Sequence, residues 1–211
     1  MRIIIRNPLT RLAFAVVAIL LIAPTAQAVE PTEPDTTALE RATRSGDGPS
    51  PVGGLAVYNG SLVDLRDGWN GAATCIVVPD TLTLAECFDS DAERDDRLVE
   101  LGLADRFAEI DAPEGADFGF ASCSSYLKLY DGYNYSGTSL WLSTRGTWTN
   151  LSVYGFNQRA SSYKVGGCST YMADYSNGGG AWISTSLTQA WDVDAVISGS
   201  WNNDISSVYI L

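Results

Sequence analysis

Phe156-Asn157-Gln158-Arg159-Ala160-Ser161-Ser162 returns 45 positions later as Trp201-Asn202-Asn203-Asp204-Ile205-Ser206-Ser207. Each copy is an aromatic, an Asn, a second amide side chain, two variable positions and a Ser-Ser pair that runs into a short strand-like tail. A second echo lies upstream, where Trp141-Leu142-Ser143-Thr144 is answered 41 positions on by Trp182-Ile183-Ser184-Thr185. The same 41-residue step carries Tyr130 to Tyr171 and Gly137 to Gly178. Two echoes in one order predict a tandem repeat of about 40 residues. Tyr126 to Tyr130 alternates, Asp131 to Gly137 reads as a compact turn, and Thr138 to Leu142 returns, so each copy predicts short antiparallel strands. One copy alone cannot bury its apolar face, and the pair is expected to close into one sandwich over 121–211. Gly137 and Gly178 are read as turn positions closed to a Cβ, and Trp141 and Trp182 as core residues at matching repeat positions.

The rest of the chain differs in composition. Residues 29–120 hold 20 acidic and 6 basic side chains, whereas 121–211 hold 5 and 4. Five of the six Trp and nine of the ten Tyr follow residue 120. That break predicts a domain boundary near 115–122. Residues 1–28 read as a secretory signal peptide: Arg2, Arg6 and Arg11 lead an apolar run from Leu12 to Ile22, and Ala26-Gln27-Ala28 closes it. No later stretch is apolar enough for a membrane anchor, so a secreted, extracellular protein is expected. Residues 29–54, with Pro31, Pro34, Pro49 and Pro51 among small and acidic residues, read as a flexible leader.

Residues 55–115 are expected to form a small acidic α+β unit. Asn59-Gly60 joins two apolar runs as a tight hairpin turn would. A second hairpin, 73–78 and 82–88, turns at Pro79-Asp80-Thr81 and places Cys75 and Cys87 on either side of the ladder, where they are expected to bond. Ser90-Asp91-Ala92-Glu93 is a capping box for a helix that Gly102 can stop. The same acids (Asp89, Asp91, Glu93, Asp95, Glu100) also sit at calcium-loop spacing, but Arg94 occupies the bend that requires Gly, and the cap accounts for them better. With Cys123 and Cys168, the four cysteines lie in the exported part without a Cys-x-x-Cys spacing, which argues for two disulfides.

Several functions are disfavoured by composition. A net charge of −12 argues against nucleic acid. The chain has no His, which removes a serine–histidine relay and His-based zinc ligation. A hydrolase would need paired carboxylates, and Asp131, Asp174, Asp192, Asp194 and Asp204 are scattered through turn-like stretches, so no enzyme is expected.

Tyr130…Gly137…Ser162 and Tyr171…Gly178…Ser207, taken with the repeat, resemble the two Greek-key motifs of the βγ-crystallin superfamily. The resemblance covers about 90 residues and implies a mainly β, two-motif Greek-key sandwich in which Ser162 and Ser207 bond the folded hairpins. Microbial members of that superfamily bind calcium through Asn/Asp-Asn/Asp-x-x-Ser/Thr-Ser. Asn202, Asn203 and Ser206 match that motif at every position; Asn157, Gln158 and Ser161 put the longer Gln at its second place with Arg159 alongside. Ca²⁺ takes six to eight hard oxygens, which amides, hydroxyls, carbonyls and water can supply. By the resemblance the loops cross, each completing the other's site. Asn203 and Ser206 are then the foremost ligands, Ser161 a further one, and the Gln158 site the poorer of two. The competing reading is of Greek-key turns without metal. Cys123 and Cys168 each precede an opening strand, as the resemblance would place a second disulfide. A narrower resemblance, in Leu129-Tyr130-Asp131, Asn134 to Gly137 and Phe156 to Ser162, is to secreted bacterial metallopeptidase inhibitors. It implies an extracellular metallopeptidase as partner, without indicating an inhibitory loop; the chain is expected to be a monomer.

Overall fold

The structure is a computed structural model that describes residues 51–107, 126–185 and 187–211. The signal-peptide reading, the leader up to residue 50 and Cys123 lie outside the described residues. β1 (Leu55–Tyr58) and β2 (Ser61–Asp64) form the first hairpin, and Asn59 and Gly60 turn it with φ of 50° and 72°. Both centres of a primed turn need positive φ, which Asn and Gly tolerate best. β3 (Thr74–Val77) and β4 (Ala85–Phe88) pair antiparallel with Cys75 opposite Cys87, and the two are disulfide-bonded. α1 (Asp91–Glu100) begins with Ser90 as its cap, whose Oγ accepts from Glu93 N–H at 3.3 Å, while the Glu93 carboxylate reaches one residue past the cap and accepts from Asp89 N–H at 3.1 Å. α2 (Ala104–Phe107) follows.

The repeat supplies β5 (Leu127–Tyr130), β6 (Ser139–Leu142), β7 (Trp148–Asn150) and β8 (Ser162–Val165), then β9 (Thr170–Ala173), β10 (Val193–Asp194) and β11 (Ser207–Ile210). Two sheets result, in orders β10-β8-β5-β6-β3-β4-β1-β2 and β7-β11-β9. Each copy sends its third strand to the other copy's sheet: β7 pairs β11, and β10 pairs β8. That exchange explains why neither copy can stand alone, since a strand of each completes the other's ladder. One core lies between the sheets, with Leu127, Leu129, Leu140, Leu142, Phe156, Met172, Ile205 and Val208 almost wholly buried. Each such side chain contributes about 2–3 kcal/mol by burial.

The composition break near residue 115 does not separate two cores. β3 pairs β6 in parallel, so the N-terminal hairpins extend the sheet of the first copy. Ala56, Leu65, Trp69 and Val77 belong to the same core cluster as the Greek-key residues. Trp69 donates its Nε1–H to the Tyr154 carbonyl at 2.8 Å and packs against Phe156 with centroids 5.6 Å apart. On the other side of the large sheet, α1 and α2 cover Ile76, Trp141 and Tyr126. Lys128 therefore lies buried although the Leu-Lys-Leu-Tyr alternation of β5 would leave it in solvent.

The repeat register read from aromatics is two residues out. Tyr130 pairs Ser162, and Ala173, not Tyr171, pairs Ser207. Asp131 accepts from Thr138 N–H at 2.7 Å and Asp174 from Ala181 N–H at 2.8 Å, so the copies superpose at a step of 43 in this part. Gly180 is thus the counterpart of Gly137; a Cβ at either would overlap the Asp carboxylate at 1.8 and 2.1 Å. Gly178 matches Tyr135, and Trp182 matches Ser139. Trp182 is not a core residue: it is 36% exposed on the outer face of the small sheet, and Trp141 is buried beneath α1 and α2 rather than inside the sandwich. A shift of two keeps every side chain on the same face of a strand, so hydrophobic alternation cannot detect it.

The serine clasps match expectation. Ser162 Oγ donates to Gly132 O at 2.7 Å and accepts from Tyr135 N–H at 3.1 Å. Ser207 Oγ does the same with Tyr175 O at 2.6 Å and Gly178 N–H at 2.9 Å.

Candidate functional site

The two Asn-led loops enter β8 and β11 side by side and bond each other reciprocally. Gln158 N–H donates to Ile205 O and Asn203 N–H to Ala160 O, both at 3.0 Å. Gln158 and Asn203 both hold left-handed backbone, with φ of 54° and 57°. Asn accepts that conformation readily because its short amide bonds locally, whereas Gln has no such advantage. One residue pair on, Ser161 N–H donates to Tyr130 O at 2.7 Å and Ser206 N–H to Ala173 O at 2.8 Å. The strand exchange creates this crossing, and the serine clasps fix its edges.

The crossing brings the two copies' side chains together. Ser161 Oγ of the first copy donates to Asn203 Oδ1 of the second at 3.1 Å. Ser161 and Ser206 are both nearly buried. Asn202 Oδ1 is buried and accepts no hydrogen bond. A buried amide oxygen without a donor costs about 1–3 kcal/mol, and a cation is one way to offset that cost. Gln158 goes elsewhere, its Nε2 donating to Asp204 Oδ1 at 3.3 Å, and Asn157 is exposed. The arrangement at the two loops is thus unequal: Asn203 is bonded by Ser161 across the crossing, whereas Gln158 turns to Asp204.

Charge near the loops is small. Among the described residues no group of three or more Cys, Asp or Glu is placed to hold a metal. A cation here would depend on neutral oxygens, with Asp204 the nearest carboxylate to the Gln158 amide. Asp204 was not singled out by the motif because it stands at a variable position, the one Arg159 fills in the first copy. Arg159 does not point its charge at the crossing. Its guanidinium bonds the Asp131 carboxylate at 2.7 Å, Thr138 Oγ1 at 2.8 Å and Gly155 O at 2.9 Å. Asn202, Asn203 and Ser161 offer neutral oxygens, the donor type that a hard cation such as Ca²⁺ takes.

The scattered aspartates of 121–211 have structural partners. Asp131 and Asp174 close the hairpins, Asp192 accepts from Tyr163 O–H at 2.8 Å, and Asp194 accepts from Val196 N–H at 2.9 Å. Cys168 is disulfide-bonded, as expected; its expected partner Cys123 lies outside the described residues. No helix among the described residues is long and apolar enough to cross a membrane.

Residues 127–211 thus form a sandwich of two Greek-key motifs that exchange their third strands and clasp their hairpins with Ser. That is the βγ-crystallin type of fold, preceded here by a disulfide-bonded α+β unit. Solved structures to which this chain is similar include one described under the evolution of the eye-lens βγ-crystallin domain fold, 24% identical over 41% of this chain and 84% of that one, with a TM-score of 0.36. The N-terminal domain of protein S is 21% identical over 41% and 96%, at 0.34. A βγ-crystallin domain from Clostridium beijerinckii is 21% identical over 41% and 97%, also at 0.34. No protein-family model matches the chain, and no curated protein matches it.

Proposed function

We propose that this chain is a secreted, non-enzymatic βγ-crystallin-like module that binds Ca²⁺ at the loop crossing and acts by holding an extracellular partner. The observation that carries the metal reading is the meeting of Ser161 Oγ and Asn203 Oδ1 from opposite copies at 3.1 Å, beside the unpartnered buried Asn202 Oδ1. Asn203, Asn202 and Ser161 would hold the ion, with Ser206 at the equivalent place of the second, poorer site. Bound Ca²⁺ would supply charge that ties the two loops together. The loops themselves are preorganised by the reciprocal N–H bonds and by the left-handed Asn203.

Thermal unfolding with and without Ca²⁺ tests this. Extracellular calcium modules bind at about 0.1–1 mM, so about 10 mM Ca²⁺ approaches a hundred times the dissociation constant at the tighter end. That concentration adds about 2.7 kcal/mol and raises the midpoint by about 5–10 °C. Mg²⁺ at the same concentration controls for the acidic surface. Asn203→Ala should abolish the rise and Gln158→Ala should leave most of it. An unchanged midpoint in Ca²⁺ overturns the metal reading, and equal effects of the two variants overturn the assignment of ligands.

The partner class suggested by the motif resemblance is a metallopeptidase. Disulfide-bonded chains suit the oxidising compartments in which such enzymes act. Titrating a thermolysin-type protease with the purified chain decides it: loss of activity near one-to-one stoichiometry supports inhibition, and full activity at large excess removes that partner.

A further inference from the structure

The outer face of the small sheet carries one aromatic ring from each of its strands. Trp148 of β7 and Tyr171 of β9 both stand directly opposite Tyr209 of β11, with centroids 5.5 and 6.4 Å from its ring. Their inward neighbours Thr149, Met172 and Val208 are buried, so strand alternation sends all three rings outward. Trp182 bridges to Ala173 of β9 and lays a fourth ring on the group, 4.8 Å from Tyr171 and 6.3 Å from Trp148.

The rings are held in place. A Cβ at Gly178 would overlap the Trp148 ring, so bare backbone of the second hairpin lies against it. Trp182 Nε1–H donates to Gly178 O at 2.9 Å, and Ser207 clasps the same hairpin. Little side-chain freedom is left to lose on binding. The face is also neutral, in a chain of net charge −12: β7, β9 and β11 contain no charged residue. Of the charges that border these strands, Arg145 donates to Leu211 O at 2.7 Å and Asp174 accepts from Ala181 N–H at 2.8 Å. Among the described residues the Tyr171 and Tyr209 hydroxyls and the Trp148 Nε1–H have no protein partner. Apolar ring faces thus alternate with neutral hydrogen-bonding edges left to solvent.

We infer that this aromatic face binds a neutral oligosaccharide of pyranose units with equatorial hydroxyls, such as a β-linked glucan. Such a sugar ring carries C–H bonds on its two faces and hydroxyls around its edge. The faces pack on Trp182, Tyr171 and Tyr209, while the hydroxyls bond the phenol and indole groups, since Tyr and Trp join an apolar body to a polar handle. An ionic ligand would find no counter-charge on these strands. The area fits a small ligand better than a protein. Trp182 is 36% exposed and the other three rings are exposed less. At about 150–250 Å² per aromatic side chain the four offer no more than about 400 Å², half of the roughly 800 Å² per partner in a stable protein interface. The inference rests neither on the metal at the loop crossing nor on a protease partner.

Calorimetric titration of the whole chain with cellohexaose, in chelator, tests it. Saturable binding with a dissociation constant below about 1 mM is expected, together with a blue shift of tryptophan emission as the sugar covers Trp182. Trp182→Ala and Tyr209→Ala should each weaken binding by about tenfold or more, with thermal midpoints reporting that they remain folded. Tyr133→Ala removes a ring that is 46% exposed on the first hairpin and should leave the affinity within about twofold. No saturable binding up to about 10 mM, or an unchanged affinity in both folded ring variants, overturns the inference. Binding that leaves the parent chain's tryptophan emission unmoved overturns it even where neither variant folds. Sedimentation without sugar tests the other occupant: a dimer that Trp182→Ala splits would show a second copy on this face and would equally overturn the inference.

Discussion

Replacing Trp69 by Ala tests whether the N-terminal hairpins and the Greek-key sandwich unfold as one body. Trp69 is 7% exposed, packs on Phe156, and donates to the Tyr154 carbonyl across 85 residues of sequence. Truncating a buried Trp costs about 3–5 kcal/mol through lost burial and the cavity left behind. With a urea slope of about 2 kcal/mol/M, the midpoint should fall by about 1.5–2.5 M. Trp69→Phe keeps most of the apolar surface but leaves the carbonyl without its donor, and should cost about 1–3 kcal/mol. Five of the six tryptophans follow residue 120, so the fluorescence transition reports chiefly on the Greek-key part. A shared core predicts one transition that moves as a whole. A fluorescence midpoint within about 0.5 kcal/mol of the parent chain would show that the N-terminal part unfolds separately and would refute the shared core.

Ser207→Ala removes the hydroxyl that bonds Tyr175 O and Gly178 N–H, and Ser162→Ala the equivalent pair at Gly132 and Tyr135. Each should cost about 1–3 kcal/mol and lower the thermal midpoint by about 3–10 °C, whereas exposed Ser152→Ala should leave it unchanged. Burial, and then its bond to the Asp192 carboxylate, raise the Tyr163 hydroxyl above its ordinary value of 10.0. A raised folded pKa favours the protonated form, so its stabilisation is complete below pH 10 and declines as pH climbs toward the folded value. Stability should therefore fall above pH 10 by up to about 1.4 kcal/mol per pH unit on this group's account, and Tyr163→Phe should flatten that limb in denaturant titrations. An identical alkaline slope in the variant would contradict it.

Local chemistry made much of this legible. Asn59-Gly60 demanded a primed turn, Ser90 and Glu93 a helix cap, and the flanking cysteines a bond across one hairpin, because each depends on neighbours within a dozen residues. The Asn-led motif likewise pointed to Asn203 and Ser161, whose meeting follows from the duplicated strand order. Asp204 stands at a variable motif position, so its bond to Gln158 of the other copy is visible only in the structure.

From the sequence alone came the duplication and the pairing of Cys75 with Cys87, since spacing and residue type suffice there, while the clasping serines came from the resemblance to the Greek-key motif. Only the tertiary structure decided the 43-residue step in the first half of the repeat, because a slip of two residues leaves strand faces unchanged. It alone joined β3 to β6, merged the acidic and aromatic halves into one core and buried Lys128 under α1. Backbone pairing between strands far apart in sequence carries no side-chain signature, so these contacts are fixed by how the sheets and helices close together.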